Sequence, residues 1–269
     1  MALGWTPSKV FNLWADQRRL EAICHGPPPT EAPTIVMLHE GLGCVELWRD
    51  LPVRLAERTG CGVFLYSRAG YGRSEPVELP RPLDYMTREA VDVLPAVLDA
   101  ARVEHAILLG HSDGATIAAI HAGSVSDPRV RGLVLMAPHF FTEPVGLAAI
   151  RRARDMFQTG DLRDRLAKYH QDPDIAFRGW NDAWLHPDFE AWNVAGVLET
   201  VSVPVLAIQG ENDQYGTRAQ VDEIAKRIGH STTIELLPDC GHSPHLDQPE
   251  QTLACVAGFL TGLGAIGAG

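Results

Sequence analysis

The stretch Ala106-Ile107-Leu108-Leu109-Gly110-His111-Ser112-Asp113-Gly114-Ala115-Thr116-Ile117-Ala118-Ala119-Ile120-His121-Ala122 decides how this chain folds. Its opening residues, Ala106–Leu109, are a short apolar run of the kind that forms a strand buried on both faces. Gly110-His111-Ser112-Asp113-Gly114 then fits G-x-S-x-G, and the small residues Ala115–Ala122 read as a helix. A sharp turn from strand into helix forces the serine into a strained backbone conformation, which the flanking glycines permit by keeping Cβ atoms away from neighbouring chain. The Ser112 hydroxyl is then exposed above the sheet. The start of the helix brings its amides and positive dipole end beneath it, where developing negative charge is stabilised.

The same kind of apolar run recurs on both sides of this segment, as Thr34–His39, Cys61–Ser67, Gly132–Ala137 and Pro204–Gln209. Between several of them, Leu47–Arg58 and Thr87–Ala101 space Leu, Val and Ala at helical intervals. Strands alternating with helices predict βαβ units, an α/β fold with a mostly parallel central sheet flanked by helices. Lys9–Trp14 and Arg19–His25 flank a turn at Ala15–Arg18 and predict an antiparallel hairpin at the sheet edge, ended by Pro27-Pro28-Pro29.

From Pro138 to Val203 the pattern changes. Buried-strand runs stop and helical segments follow at Pro144–Gln158, Asp161–Gln171 and Asp174–Leu185. The organisation predicted is a core of residues 1–138 and 201–269, with residues 139–200 inserted as a helical cap. The insertion holds nine of the chain's nineteen aromatic residues, enough apolar surface to roof a pocket, although any single ring is as readily part of the cap's own core. Phe140, Trp180 and Trp184 of this group, with Leu42 from the core, are the candidate substrate-binding residues.

A serine hydroxyl is a poor nucleophile near neutral pH and needs an adjacent base, itself held in one tautomer by a third group. Val205–Gly210 leads into Glu211-Asn212-Asp213, and Thr233–Leu237 into Asp239-Cys240-Gly241-His242. Both follow predicted strands, so the chain order is Ser112, Asp213, His242. Glu211 and His245 are the competing carboxylate and base.

That order, the elbow, and the loop His39-Glu40-Gly41-Leu42-Gly43 after an early strand resemble the α/β-hydrolase superfamily over nearly the whole chain. The segment Ser67-Arg68-Ala69-Gly70-Tyr71-Gly72-Arg73-Ser74 also resembles the family's D-x-x-G-x-G-x-S turn, with Ser67 where an aspartate is commoner. The resemblance implies Ser112 as nucleophile, His242 as general base, Asp213 as its orienting carboxylate, and an oxyanion hole of two backbone N–H groups, Asp113 and Gly41. Glu40 replaces the usual glycine after His39, so Leu42 is the alternative second donor. The family's spacings favour Asp213 over Glu211 and His242 over His245.

Composition sets the remaining expectations. With 23 basic and 34 acidic residues the net charge is −11, and no dense Lys/Arg run offers the footprint of a nucleic-acid binder. Cys24, Cys44, Cys61, Cys240 and Cys255 are odd in number and lack C-x-x-C spacing, so reduced thiols, a cytoplasmic location and no metal are expected. Met1–Trp14 lacks the pattern of a signal peptide. Residues 252–269 read as a last helix and a flexible tail, too short and too rich in Gly and Ala to span a membrane. Arg151, Arg152, Arg154, Arg163, Arg165 and Lys168 read as a solvated helix face, the alternative being a dock for an anionic substrate group.

The function expected is hydrolysis of a carboxylic ester or thioester of a small, largely apolar substrate, through an acyl-enzyme and without a cofactor. A small molecule is the partner expected, with neither nucleic acid nor membrane, and a homo-oligomer is compatible with the sequence. The resemblance disfavours epoxide and haloalkane hydrolysis, whose enzymes carry aspartate at the elbow. Two alternatives stay open: a C–C bond hydrolase acting on a vinylogous diketone, and a ligand-binding member of the fold without turnover.

Overall fold

Eight strands build one sheet in the order β1-β2-β4-β3-β5-β6-β7-β8, seen in a computed structural model that describes residues 5–265. The N-terminal reading at Met1–Gly4 and the end of the tail, residues 266–269, lie outside the described residues. The strands are β1 (Phe11–Ala15), β2 (Arg18–His25), β3 (Thr34–Leu38), β4 (Gly62–Tyr66), β5 (Ala106–His111), β6 (Val130–Met136), β7 (Val205–Gly210) and β8 (Thr232–Leu237). β2 runs antiparallel to both β1 and β4; every other pairing is parallel.

The parallel strands are apolar because both of their faces are covered. In β3, Val36 and Leu38 join one core with Phe64, Tyr66 and Leu108, while Ile35 and Met37 join the other with Val63, Leu65, Ile107 and Leu109. This two-residue alternation is the pleat of the strand, with one set of side chains on each face.

The edge hairpin turns more tightly than the sequence predicts. Asp16 and Gln17 both take positive φ (45° and 59°), as the two central residues of a turn matched to strand twist do. Ala15 therefore pairs with Arg18 as the last rung, and the first strand begins at Phe11 rather than Lys9.

The helix expected over Leu47–Arg58 is divided into a 3-10 turn, Val45–Trp48, and a helix, Leu51–Thr59. Arg49 between them has a left-handed φ of 55°, and Pro52 favours a fresh helix start. The segment predicted at Thr87–Ala101 contains a wide π turn, Glu89–Val93, just ahead of Pro95, which has no N–H for the regular ladder.

Between β6 and β7 lie the helices Pro144–Thr159, Leu162–Leu166 and Pro173–Trp184. The second is shorter than expected from Asp161–Gln171. It ends so that His170 can turn inward, where Nδ1 accepts from Gly72 N–H (2.9 Å) and Nε2 donates to the Leu42 carbonyl (3.0 Å). The third is capped by Asp172, whose carboxylate accepts from Ile175 N–H. Stacked Phe157 and Phe177, 3.9 Å between ring centroids, pack the first helix on the third. The last helix, Pro249–Gly262, covers the opposite core.

The turn after β4 resolves the departure at Ser67. A buried carboxylate from β2, Glu21, accepts from Ser67 Oγ (2.8 Å) and from Arg73 N–H (3.0 Å). Ser74 Oγ donates to the Ser67 carbonyl and accepts from Glu21 N–H. The charge that the sequence lacks at position 67 thus comes from a neighbouring strand.

Candidate active site

Ser112, Asp213 and His242 follow β5, β7 and β8 at the carboxyl ends of the strands, where open α/β sheets bind ligands. Ser112 has φ 53° and ψ −119°, the strained elbow anticipated from the motif. Close packing explains the motif's glycines: a Cβ on Gly114 would meet the Leu38 carbonyl oxygen at 1.9 Å, and one on Gly110 the Gly114 oxygen at 2.3 Å. The elbow therefore sits tight against β3.

The His242 ring stands on the Asp213 carboxylate, with Nδ1 2.9 Å from Oδ2 and 3.0 Å from Oδ1. An ionised carboxylate only accepts, so Nδ1 carries the proton and Nε2 is left as an acceptor. Asp213 also accepts from Tyr215 N–H (2.8 Å) and Gln209 Nε2 (2.8 Å). Burial by itself would raise the pKa of this carboxyl; the His242 hydrogen bond and charge, with the Tyr215 amide, hold it down at about 2. Glu211 is exposed. His245 is buried instead against Trp48 and His111, at 5.1 Å from each ring.

Further imidazoles surround this pair. His111, inside the elbow motif, donates through Nε2 to the His242 carbonyl (2.7 Å), and its Nδ1 lies 3.5 Å from Glu40 Oε2. Burial lowers the His111 pKa, but the Glu40 carboxylate outweighs it and the net shift is upward. His139, 5.5 Å from the His242 ring, is pushed down to about 3, first by burial and then by the charge of His242.

A cavity of about 190 Å³ opens over Ser112 and His242. Glu40, Gly41, Leu42 and Asp113 form its floor with them, and Leu147, Ile150, Trp180 and Trp184 come from the helices between β6 and β7. Trp180 lies directly on Gly41, where a Cβ would come within 2.3 Å of the indole. The lining also holds Glu143 and Tyr215, and no lysine or arginine.

Of the sequence-predicted substrate residues, Leu42, Trp180 and Trp184 line this cavity and Phe140 does not. Phe140, four residues past the end of β6, is fully buried in the main core because its backbone is held on both sides, its N–H bound to Gln220 Oε1 and its carbonyl accepting from Val194 N–H (2.7 Å). None of the seven basic residues of the insertion, the six read as a solvated helix face and Arg178, lines the cavity; Arg163 pairs with Asp174, Arg165 with Asp161 and Arg178 with Asp182. All five cysteines are free. Among the described residues no cluster of three or more His, Cys, Asp or Glu could hold a metal ion, and no helix is long and apolar enough to cross a membrane.

The sequence reading missed a buried polar chain under the elbow. Trp184 Nε1 donates to Tyr85 Oη (3.0 Å), whose hydroxyl donates to Asp113 Oδ2, and Arg68 Nη2 is 3.9 Å from the same oxygen. Nothing in periodicity marks Arg68 or Tyr85. The one available signal was a charged residue, Asp113, in an otherwise apolar helix start.

A parallel sheet with a strained serine elbow after one strand and an Asp–His pair after two later ones defines an α/β hydrolase. A model of the Alpha/beta hydrolase family matches residues 35–254, and the chain belongs to that family. Epoxide hydrolase B of Mycobacterium tuberculosis is 31% identical over 102 residues, covering 37% of this chain and 27% of that enzyme, so the chain spans about a quarter of that relative's length. The pimeloyl-[acyl-carrier protein] methyl ester esterase of Nitrosomonas europaea is 27% identical over 251 residues, 83% of this chain and 94% of the esterase. Among solved structures, the enol-lactonase of Burkholderia xenovorans superposes with a TM-score of 0.74 at 20% identity, over 93% of this chain and all of the lactonase.

Proposed function

We propose that this protein is a serine hydrolase that cleaves a carboxylic ester, or thioester, of a small uncharged substrate through an acyl-enzyme on Ser112. The observation that carries the reading is the Asp213–His242 pair, with its free Nε2, on the same cavity as a serine held at positive φ.

Ser112 Oγ attacks the substrate carbonyl as His242 Nε2 takes its proton. The oxyanion is met by two backbone N–H groups, Asp113 and Gly41. His242 then protonates the leaving group, and the same imidazole activates the water that releases the acid. Asp213 stays ionised throughout and stabilises the imidazolium. Residues 139–200 act as the cap, with Trp180 and Trp184 as the apolar wall against which the acyl or alcohol group packs.

The similarity to a methyl ester esterase along most of both chains supports an ester as the bond broken. The epoxide hydrolase likeness is confined to 37% of the chain, and the elbow residue here is serine. The lining carries three acidic residues, Glu40, Asp113 and Glu143, and no lysine or arginine to hold a substrate carboxylate, which favours a neutral ester over the anionic dienoate form of a vinylogous diketone.

The test is turnover of p-nitrophenyl acyl esters of graded chain length by the wild type and by Ser112→Ala. Cleavage by the wild type and none by the variant is the expected result. Equal rates for the two proteins overturn the assignment.

A further inference from the structure

Arg68 is fully buried, yet it makes no full-contact ion pair: its nearest carboxylate oxygen, on Asp113, is 3.9 Å away. Its short contacts are to backbone. Nη1 donates to the His39 carbonyl at 2.5 Å and Nη2 to the Glu40 carbonyl at 3.1 Å, while its own N–H donates to His39 Nε2 at 3.0 Å. His39 Nδ1 closes the ring by donating to the Glu40 carbonyl at 2.7 Å.

A trans peptide unit is planar, so the Glu40 carbonyl and the Gly41 N–H share one plane and point in opposite directions. That carbonyl accepts from three donors, Arg68 Nη2, His39 Nδ1 and the Gly43 N–H (3.2 Å), and holding it inward turns the Gly41 N–H outward, to the cavity that Gly41 lines. The Leu42 N–H belongs to the next peptide plane, which Arg68 does not grip. The same Nη2 lies 3.9 Å from the carboxylate of Asp113, the first residue of the helix behind Ser112. That carboxylate is held again by Tyr85, and Tyr85 by Trp184 of the cavity wall.

We propose that Arg68 is a positioning residue that sets the two oxyanion-binding amides against each other, Gly41 through the Glu40 carbonyl and Asp113 through its carboxylate. The inference rests on the serine hydrolase reading above and selects Gly41 over Leu42 as the second donor. The Tyr85–Trp184 arm carries the same frame to the wall of the cavity, so an occupant pressing on Trp184 bears on the amide of Asp113.

The test compares the wild type with Arg68→Met, Arg68→Lys and the double variant Arg68→Met/Asp113→Asn. The double variant leaves no unpaired buried charge and keeps an acceptor for Tyr85, which guards against simple misfolding. Active serine is titrated with a fluorophosphonate. Rates are then read per active site on a p-nitrophenyl ester, beside the affinities of a trifluoromethyl ketone and of its methyl ketone counterpart. Losing the alignment of an oxyanion donor is expected to lower kcat by roughly 10²-fold with KM changed less than about threefold. Trifluoromethyl ketone affinity should fall in parallel and methyl ketone affinity should hold. Arg68→Lys, with one point donor for two carbonyls, is expected to fall between.

A double variant with kcat per titrated serine within about threefold of wild type overturns the proposal and leaves the hydrolase reading intact. A wild type that neither turns over esters nor reacts with the fluorophosphonate overturns both.

Discussion

The indole of Trp180 rests on Gly41 so closely that a single added methyl group would fall 2.3 Å from Cδ1 and Nε1. Trp180 belongs to the helix Pro173–Trp184 between β6 and β7 and Gly41 to the loop after β3, so this contact fixes the distance between that helix and the loop. Gly41→Ala must move either the indole or the loop. Overpacking of this kind costs about 1–3 kcal/mol, and any shift of the loop also turns the Gly41 N–H. A modest fall in thermal midpoint, with a loss in kcat/KM toward p-nitrophenyl esters of roughly 10²-fold, is the expected outcome. Unchanged kcat/KM would remove Gly41 from the site.

Asp213→Asn keeps the shape of the site but replaces an obligate acceptor by a side chain that can donate. The His242 ring, now free to carry its proton on Nε2, loses the acceptor that the proposed mechanism needs for the Ser112 proton. A fall in kcat of roughly 10³–10⁴-fold is expected, with KM nearly constant. Glu211→Gln, at an exposed position two residues away, should leave both constants at wild-type values.

Most of the fold, and the placement of Ser112, Asp213 and His242 past three strand ends, was legible in the sequence because it rests on local signals. Continuous apolar runs mark strands covered on both faces, and each candidate residue follows one of them. The parts that were not legible depend on contacts between distant segments. Glu21 lies 46 residues before Ser67, and only the pairing of β2 with β4 brings its carboxylate to the turn that lacks one. Phe140 carries the same signal as Trp180 and Trp184, and only its bond to Gln220, 80 residues away, keeps it off the cavity. Arg68 could be read only as a variable position in a turn, since its role depends on carbonyls that carry no side-chain signature.

The acidic lining predicts discrimination by charge. Glu40 and Glu143 face a cavity without a cation, and Glu143 is fixed by Thr217 and Gln220. A substrate carboxylate placed there meets repulsion of about 1–3 kcal/mol, depending on its distance from the two side chains. p-Nitrophenyl butyrate should therefore be cleaved roughly 10–100-fold faster than mono-p-nitrophenyl succinate, a pair of similar size that differs in one charge. Glu143→Gln is expected to narrow the ratio. A preference for the succinate ester would refute the assignment of a neutral substrate.

The histidines behind the site predict how stability depends on pH. Burial, followed by the charge of neighbouring imidazoles, lowers His139 and His245 to about 3 each, from 6.5. Between those values the unfolded chain binds protons that the native protein refuses, so unfolding takes up protons and stability rises with pH. Acidification from pH 7 therefore weakens the fold progressively through pH 4, well above the region near 2 where Asp213 begins to lose its charge. His111 works in the opposite direction: with its pKa raised by Glu40, it contributes stability below its unfolded pKa and loses it as pH rises through the folded one. Among the histidines the balance is five lowered, His25, His39, His139, His170 and His245, against His111 raised, and it favours a net loss on acidification, opposed by the buried carboxyls of Glu89 and Asp113, whose pKa values burial raises. His245→Leu, which removes one buried imidazole packed against Trp48 and leaves Asp213 and His242 in place, should flatten the decline of the thermal midpoint between pH 6.5 and 4.5. A variant whose midpoint falls as steeply as that of the wild type would show that His245 takes up its proton in the folded protein, and that the acid sensitivity arises elsewhere.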